Sequence, residues 1–452
     1  MDNIFSKLVL PEIKYFITQE DKDSLNAIIT EFHPHDIAEL MEDLTEEENE
    51  FLFKLLPEEF RLEVFSLLDY PEQEDIIESL DDKEIKDILD DMAPDDRTEL
   101  FEDMPDEMTE KYIEVLNPEE RDIAQKYMSY PEDSVARLST PDYIKLNKDF
   151  TVAKSIEHIR NNYHEKETIY YSYVLNENNQ LLGTVSLKSL ILSQPETTLE
   201  SLIKDQKIIS IKADEDQEIG ASLMQKYDLL ALPVIASNDV MIGIITFDDL
   251  VDIVEEEATE DIHKMAAMLP TEDGYLDNTF RDVFKNRIFW LIVLLVMQTI
   301  TGMVLKSFSS VLDQVVALSF YIPLLIGTGG NAGTQSSTLV IRGMATGDIE
   351  GKDFWKLLRR EMFLALSMGV VLAILTFGRV YFQEGDNAIA LVVSLGLLAT
   401  MIAAMFSGTI LPMFFNLMKL DPALMSGPFI STSIDIIGLV IYLQIAKIIM
   451  GL

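Results

Sequence analysis

Cysteine is absent from this 452-residue chain, which removes disulfide frameworks and thiolate chemistry and suits a portion facing the cytosol. Basic residues are scarce: 35 Lys and Arg stand against 78 Asp and Glu, a formal net charge of −43. A field of that sign repels phosphate backbones, so nucleic acid is a poor partner, whereas divalent cations and basic surfaces are good ones. Residues 1–14 lack a charged n-region and an apolar h-region, so no cleaved signal is expected. Long apolar runs are missing until residue 288.

The charge is concentrated in the first part of the chain. From Lys285 onward there are eleven basic and nine acidic residues, which leaves 24 basic and 69 acidic residues before it. Residues 288–305 are free of charge and long enough to cross roughly 30 Å of hydrocarbon at about 1.5 Å per residue. Further spans are expected at 315–340, 362–382, 388–417 and 427–450, five in all, which puts the termini on opposite sides. Lys285, Arg287, Arg342, Lys352, Lys356, Arg359, Arg360 and Lys419 then share one side, while the opposite connection at 383–387 carries two acids and no base. The excess of positive loops marks the cytoplasmic side, so the expected product is an integral plasma-membrane protein with a cytoplasmic N-terminus and Leu452 outside. Gly302, Gly369, Gly396, Gly408, Pro412, Gly427 and Gly438 fall within these spans and suit either close helix packing or a pore lining.

Between about residues 34 and 127 the chain repeats one short amphipathic helix with an acidic start. Pro57-Glu58-Glu59, Pro71-Glu72, Leu80-Asp81-Asp82, Pro94-Asp95-Asp96, Pro105-Asp106-Glu107 and Pro118-Glu119-Glu120 put proline at the first turn and carboxylates near the positive end of the helix dipole. An all-α superhelical domain over 1–133 follows. A different pattern then runs twice, with Gly183 and Leu190 matched by Gly243 and Leu250. Each copy reads as helix, strand, hairpin strand and helix start. The two copies, at 134–196 and 197–254, resemble a pair of CBS motifs, which fold as one pseudo-symmetric αβ module and often dimerise. Many such modules bind ATP or another adenine nucleotide, and many bind nothing.

Residues 255–284 form a connector to the membrane half. Its carboxylates, from Glu255 through Glu257 and Glu260 to Asp261, are too dense for any helix face to avoid like-charge neighbours, and a bridging divalent cation would turn that repulsion into adhesion. In the membrane half (285–452), the run Gly327-Thr328-Gly329-Gly330-Asn331-Ala332-Gly333-Thr334-Gln335-Ser336-Ser337 is expected to disrupt a span, which is tolerable only against protein or a wet cavity. A phosphate loop is the rival reading, but the run lacks the closing Gly-Lys-Ser/Thr. Asp435 sits near the middle of the last span, where an acid is costly unless hydrated or paired.

The GTGGNAGTQSS run with Arg342 behind it, Asp421 through Gly427, Asp435-Ile436-Ile437-Gly438 and the Glu-Ala-Thr-Glu-Asp-Ile-His-Lys connector together resemble the MgtE magnesium transporters. The resemblance implies a multidomain membrane protein: an all-α superhelical N-terminal domain, an αβ CBS pair, a connecting plug helix and a five-helix transmembrane domain. It implies a homodimer in the lipid bilayer with one pore on the two-fold axis, conducting Mg²⁺ inward, and no enzymatic activity. Asp435 matches the pore aspartate, with Asn331, Gly329, Gly330, Gln335, Ser431 and Thr432 as lining candidates. Closure by cytosolic Mg²⁺ would draw on Asp95, Asp96, Glu99 and Asp103 of the first domain, on Asp214, Glu215, Asp216, Asp248, Asp249 and Asp252 of the CBS pair, and on Glu255, Glu257, Glu260 and Asp261 of the connector.

Overall fold

The computed structural model describes residues 4–162, 167–270, 279–424 and 427–452, without the side chains of residues 4–7, 58, 59 and 255. It divides into two units, Met1–Ile253 and Val254–Leu452.

The first unit opens with ten short helices, from α1 (Ile4–Thr18) to α10 (Pro118–Met128), of which α7 spans Asp82–Asp91 and α8 spans Pro94–Asp103. The acidic starts act as caps. Asp81 accepts the Lys83 and Glu84 amides, both at 2.9 Å, while Glu84 reaches back to the Asp81 amide, and Pro94 occupies the first turn of α8 ahead of Asp95 and Asp96. Each helix is too short to hold alone, so stability comes from the shared apolar seam of Leu52, Phe53, Phe65, Ile77, Leu89, Leu100 and Phe101. One cation is sealed into the array: Arg97, 1% exposed, donates to the Leu89 carbonyl at 2.8 Å and to Glu120 at 2.6 Å, tying α8 to α10.

Two small sheets follow. Strands β1 (Ile144–Asn147), β2 (Tyr171–Leu175) and β3 (Leu181–Ser186) form one, with α11 (Val152–Asn162) between β1 and β2, and α12 (Leu187–Leu192) and α13 (Leu199–Ile203) after β3. Strands β4 (Ile211–Lys212), β5 (Ala231–Ile235) and β6 (Met241–Thr246) form the other, with α14 (Gln217–Tyr227) after β4 and α15 (Phe247–Met265) after β6. In both, the first pair is parallel and the second antiparallel, with the register shift beside Val174 in one and Val234 in the other. Gly183 pairs with Val174 and Gly243 with Val234, and both glycines are required by close approach. A Cβ on Gly183 would lie 2.7 Å from the Ile203 Cβ, and one on Gly243 would lie 2.8 Å from the Thr140 carbonyl oxygen.

The second unit contains the rest of α15, then α16 (Phe280–Ser307), α17 (Ser309–Gln314), a 3₁₀ segment Val316–Tyr321, α18 (Ile322–Ala345), α19 (Phe354–Glu384), α20 (Asn387–Leu417) and α21 (Gly427–Met450). Among the described residues four helical segments are long and apolar enough to cross a membrane: 280–307, 351–384, 387–417 and 427–450. The character expected of the span at 315–340 is corrected here: it is the 3₁₀ segment followed by α18, whose Asn331, Thr334, Gln335, Ser336, Ser337 and Thr338 dilute its apolar character below that of the other four.

The expected break in that segment is corrected as well. The helix α18 runs unbroken through Gly327, Gly329, Gly330 and Gly333, none of which has a positive φ. Each glycine weakens an isolated helix by about 1 kcal/mol relative to alanine, but here the bare backbone is the packing surface. A Cβ on Gly329 would meet Thr400 at 2.7 Å and Ile434 at 3.0 Å, one on Gly330 would strike the Ser431 hydroxyl, and one on Gly408 would strike the Gly333 carbonyl oxygen. The same holds for Gly369 against Leu398, Gly396 against Tyr442 and Gly438 against Thr400, whereas Gly302 faces open space. The helices α18, α20 and α21 form the packed centre, α19 lies against α20, and α16 packs chiefly on α21 with no fully buried residue of its own.

Candidate ion sites

In the membrane half, Asp435 is 8% exposed, and one carboxylate oxygen accepts from Gln298 of α16 at 3.4 Å. Thr432, one turn earlier on α21, is spent on its own helix, donating to the Pro428 carbonyl at 2.8 Å. The other lining candidates separate into two groups. Gly329, Gly330 and Ser431 belong to the packed seam between α18 and α21, whereas Asn331 and Gln335 lie one turn apart on the exposed face of α18.

A second buried carboxylate escaped the sequence reading. Glu361 is 6% exposed and accepts from the Ser336 hydroxyl at 2.9 Å. The third span is expected only from 362, after Arg359 and Arg360, but α19 starts at Phe354 and carries Glu361 two turns inside.

At the start of the last span the end of α15 meets the turn before α21. Lys264 pairs with Asp421 at 2.6 Å and with Glu260 one turn back on its own helix. Burial works against the Lys264 charge, but those two carboxylates hold its ammonium above the ordinary lysine value. Burial and the nearby Asp421 push Asp261 up. Asp421 also accepts the Ala423 amide at 2.7 Å, and the Met265 carbonyl lies 3.8 Å from where a Cβ on Gly427 would be. The Asp421 contact has no sequence signal, since a carboxylate at a span boundary is unremarkable by itself.

The first unit gathers a third set. Asp95 and Asp96 at the start of α8 lie in the field of Asp248 and Asp249 at the start of α15, and Glu167 and Asp142 join them. Burial first, then Asp249, Asp96 and Glu167, drive the Asp95 carboxyl well above its usual range, and its Oδ1 is buried without a hydrogen-bond partner. Burial raises Asp249 to about 6 even though the Thr246 amide and hydroxyl donate to it at 2.8 and 2.9 Å. Desolvation by the surrounding chain, then Asp248, Asp249, Asp96 and Asp142, carry the surface residue Glu167 to about 7. Neither Glu167 nor Asp142 has a sequence signal, because both stand in connections of ordinary polarity.

Asp103 interacts with Tyr70, Glu99 and Asp252 are exposed, and Glu257 is half-buried on α15. At the β4–α14 turn, Asp216 caps α14 by accepting the Glu218 amide, Glu215 accepts the Lys212 amide, and Asp214 is exposed. The Glu255 side chain lies outside the described residues. Among the described residues no three His, Asp or Glu close on a metal-sized gap. The acids therefore form a negative field rather than a finished coordination shell, which suits an ion that keeps part of its water.

A cavity of about 360 Å³ beside β3 is lined by Thr184, Ser189, Ser201, Leu202, Asp205 and Gln206. Its hydroxyls, amide and single acid, with no cation, do not fit a nucleotide triphosphate.

Family models match at 32–133 (the MgtE intracellular N domain), at 135–196 and 201–256 (the CBS domain) and at 322–445 (MgtE, divalent cation transporter). The chain is 36% identical over 337 residues to the magnesium transporter MgtE of Thermus thermophilus, covering 75% of this chain and 74% of the relative. It is 37% identical over 331 residues to the magnesium transporter MgtE of Bacillus subtilis, covering 73% of each. Among solved structures, a cytosolic domain of the Mg²⁺ channel MgtE in complex with ATP matches at TM-score 0.51 and 29% identity, over 54% of this chain and 99% of that one. The soluble part of a magnesium transporter shares the fold at TM-score 0.51 and 23% identity, over 56% of this chain and 99% of that one. With its N domain, CBS pair and membrane region all matched in order, the chain belongs to the MgtE family.

Proposed function

We propose that the chain carries Mg²⁺ into the cell through its membrane half and is held shut when cytosolic Mg²⁺ neutralises the carboxylates of its cytosolic half. The observation that carries the regulatory part is Asp95: a half-buried carboxylate with one buried, unpartnered oxygen, in the field of Asp249, Asp96 and Glu167. In its charged form such a group is stable only if something positive shares the site. A hydrated divalent cation supplies that charge, so Mg²⁺ favours the arrangement that brings α8 against the start of α15, and its loss lets the acids repel. An ion that binds the closed arrangement better must shift the equilibrium toward it.

For conduction, the proposal takes Asp435 as the membrane ion site and a homodimer as the conducting unit, in which two such carboxylates hold a hydrated ion without stripping it. The exposed Asn331 and Gln335 of α18 support a second copy, because polar groups on the outside of a membrane bundle need a partner or water. The orientation follows from the basic loops: N-terminus in the cytoplasm, α18 crossing as a fifth, more polar span, and Leu452 outside.

The test is Mg²⁺ uptake into proteoliposomes with internal Mg²⁺ varied. Uptake should require Asp435, and Asp95→Asn with Asp249→Asn should leave uptake intact while weakening its inhibition by internal Mg²⁺. Undiminished inhibition in that variant overturns the sensor assignment.

A further inference from the structure

Glu361 is the one carboxylate on the packed face of α19. That helix buries Glu361, Ala365, Gly369, Thr376 and Val380, a stripe of small or apolar side chains apart from Thr376 and the acid. The acid is met by a hydroxyl rather than a cation: Ser336 of α18, 1% exposed, lies 2.9 Å from Glu361 Oε2. Ser336 also lies 3.1 Å from the Thr409 hydroxyl and 3.4 Å from the Met405 carbonyl oxygen of α20. Thr409 donates to that same carbonyl at 2.7 Å, which leaves the Ser336 proton for the carboxylate. A polar tie thus runs from α19, past α20, to α18.

What the tie holds follows from the faces of α18. Its inward face just before Ser336 is glycine at positions 329, 330 and 333, packed backbone-close against α20 and α21. Bare backbone allows close approach but offers no side chains to interlock, so a small rotation or slide of α18 meets little steric resistance. Asn331 and Gln335, on the exposed face, turn with any such rotation. A hydrogen bond to a buried carboxylate is directional, and breaking it strands the acid in an apolar bundle.

We infer that Glu361 is a positioning residue: through Ser336 it fixes the rotation of α18 and with it the orientation of Asn331 and Gln335. Only the transport readout rests on the proposed Mg²⁺ uptake; the placement of α18 does not.

The test compares E361Q, E361A, S336A and the E361A/S336A double variant in the full chain. Two measurements are made in lipid nanodiscs or proteoliposomes: amide exchange in peptides covering α18, and Mg²⁺ uptake. E361A and S336A should each speed exchange in α18 and lower uptake roughly tenfold or more, the scale of a lost hydrogen bond to a charged group. E361Q should stay near the parent, because its amide oxygen accepts the same hydroxyl. The double variant should be no worse than either single one, as expected of two halves of one interaction. Parental behaviour of E361A overturns the inference, as does E361Q as impaired as E361A, or additive losses in the double variant. If E361A fails to reach the membrane, E361Q against S336A makes the same comparison. If the parent itself moves no Mg²⁺, the proposed function fails while the exchange data still decide the role of Glu361.

Discussion

Lys264 Nζ lies 2.6 Å from Asp421 Oδ2, so the end of α15 is fastened by a tethered cation to the turn that starts the last membrane helix. The lysine side chain is 17% exposed and the aspartate 33%, which makes the pair less screened than a surface ion pair. Lys264→Met or Asp421→Asn should loosen α15 from the start of α21 and raise the internal Mg²⁺ needed for half-inhibition by about fivefold, the equivalent of about 1 kcal/mol. Flux into proteoliposomes at graded internal Mg²⁺ measures this. An unchanged midpoint in both variants means that the pair holds structure without biasing closure.

Asp435→Ala should cut Mg²⁺ uptake roughly tenfold or more, about 1.4 kcal/mol of barrier, while the protein still inserts in the membrane. Uptake with a Mg²⁺-sensitive dye, normalised to membrane-inserted protein, decides it. Full uptake in this variant would remove Asp435 from the ion path.

The acids gathered in the first unit give a pH dependence whose sign follows from their directions. Asp95, Asp96, Asp249 and Glu167 all bind protons more tightly folded than unfolded, with Asp249 at about 6 and Glu167 at about 7. A carboxyl raised in the folded state favours folding at low pH, and that contribution is lost as pH rises through the folded value. Without Mg²⁺, the Tm of the first unit in the full chain should therefore fall between about pH 5 and pH 8, and millimolar Mg²⁺ should flatten the dependence. Differential scanning calorimetry with and without Mg²⁺ reads both. A Tm that climbs over that interval contradicts the burial of these groups.

Two glycines separate packing from helix propensity. A Cβ on Gly408 would strike the Gly333 carbonyl oxygen, and a backbone atom cannot rotate aside, so Gly408→Ala should destabilise the membrane half by about 1–3 kcal/mol. Gly302 has nothing near its Cβ position, so Gly302→Ala should be neutral or stabilise by up to about 1 kcal/mol through helix propensity. Thermal inactivation in detergent compares them directly. Equal effects would mean that α18 and α20 are not in backbone contact.

Local features were legible in the chain itself. The 60-residue repeat marked Gly183 and Gly243, and both occupy the same place in matching hairpins. The acidic helix starts were legible because a cap is made by residues two or three apart, as at Asp81. The glycine-rich run misled where composition was asked to speak for packing. Glycines that weaken an isolated helix stabilise one whose neighbours pack against bare backbone, so α18 is continuous rather than broken. Glu361 was hidden for a related reason, because hydropathy averages over neighbours and cannot tell which single residue of a charged stretch turns inward.

By itself the sequence determined the division into an acidic half and an apolar half, the order of the helical array, paired sheets and membrane helices, and the family runs that identify them. These follow from periodicity, capping and charge, which act between near neighbours in the chain. Only the tertiary structure decided that Asp95 stands in the field of Asp249, that Lys264 reaches Asp421 and that Ser336 meets Glu361. Such meetings join residues far apart in the chain, and they are fixed by how whole helices pack, which no local pattern encodes.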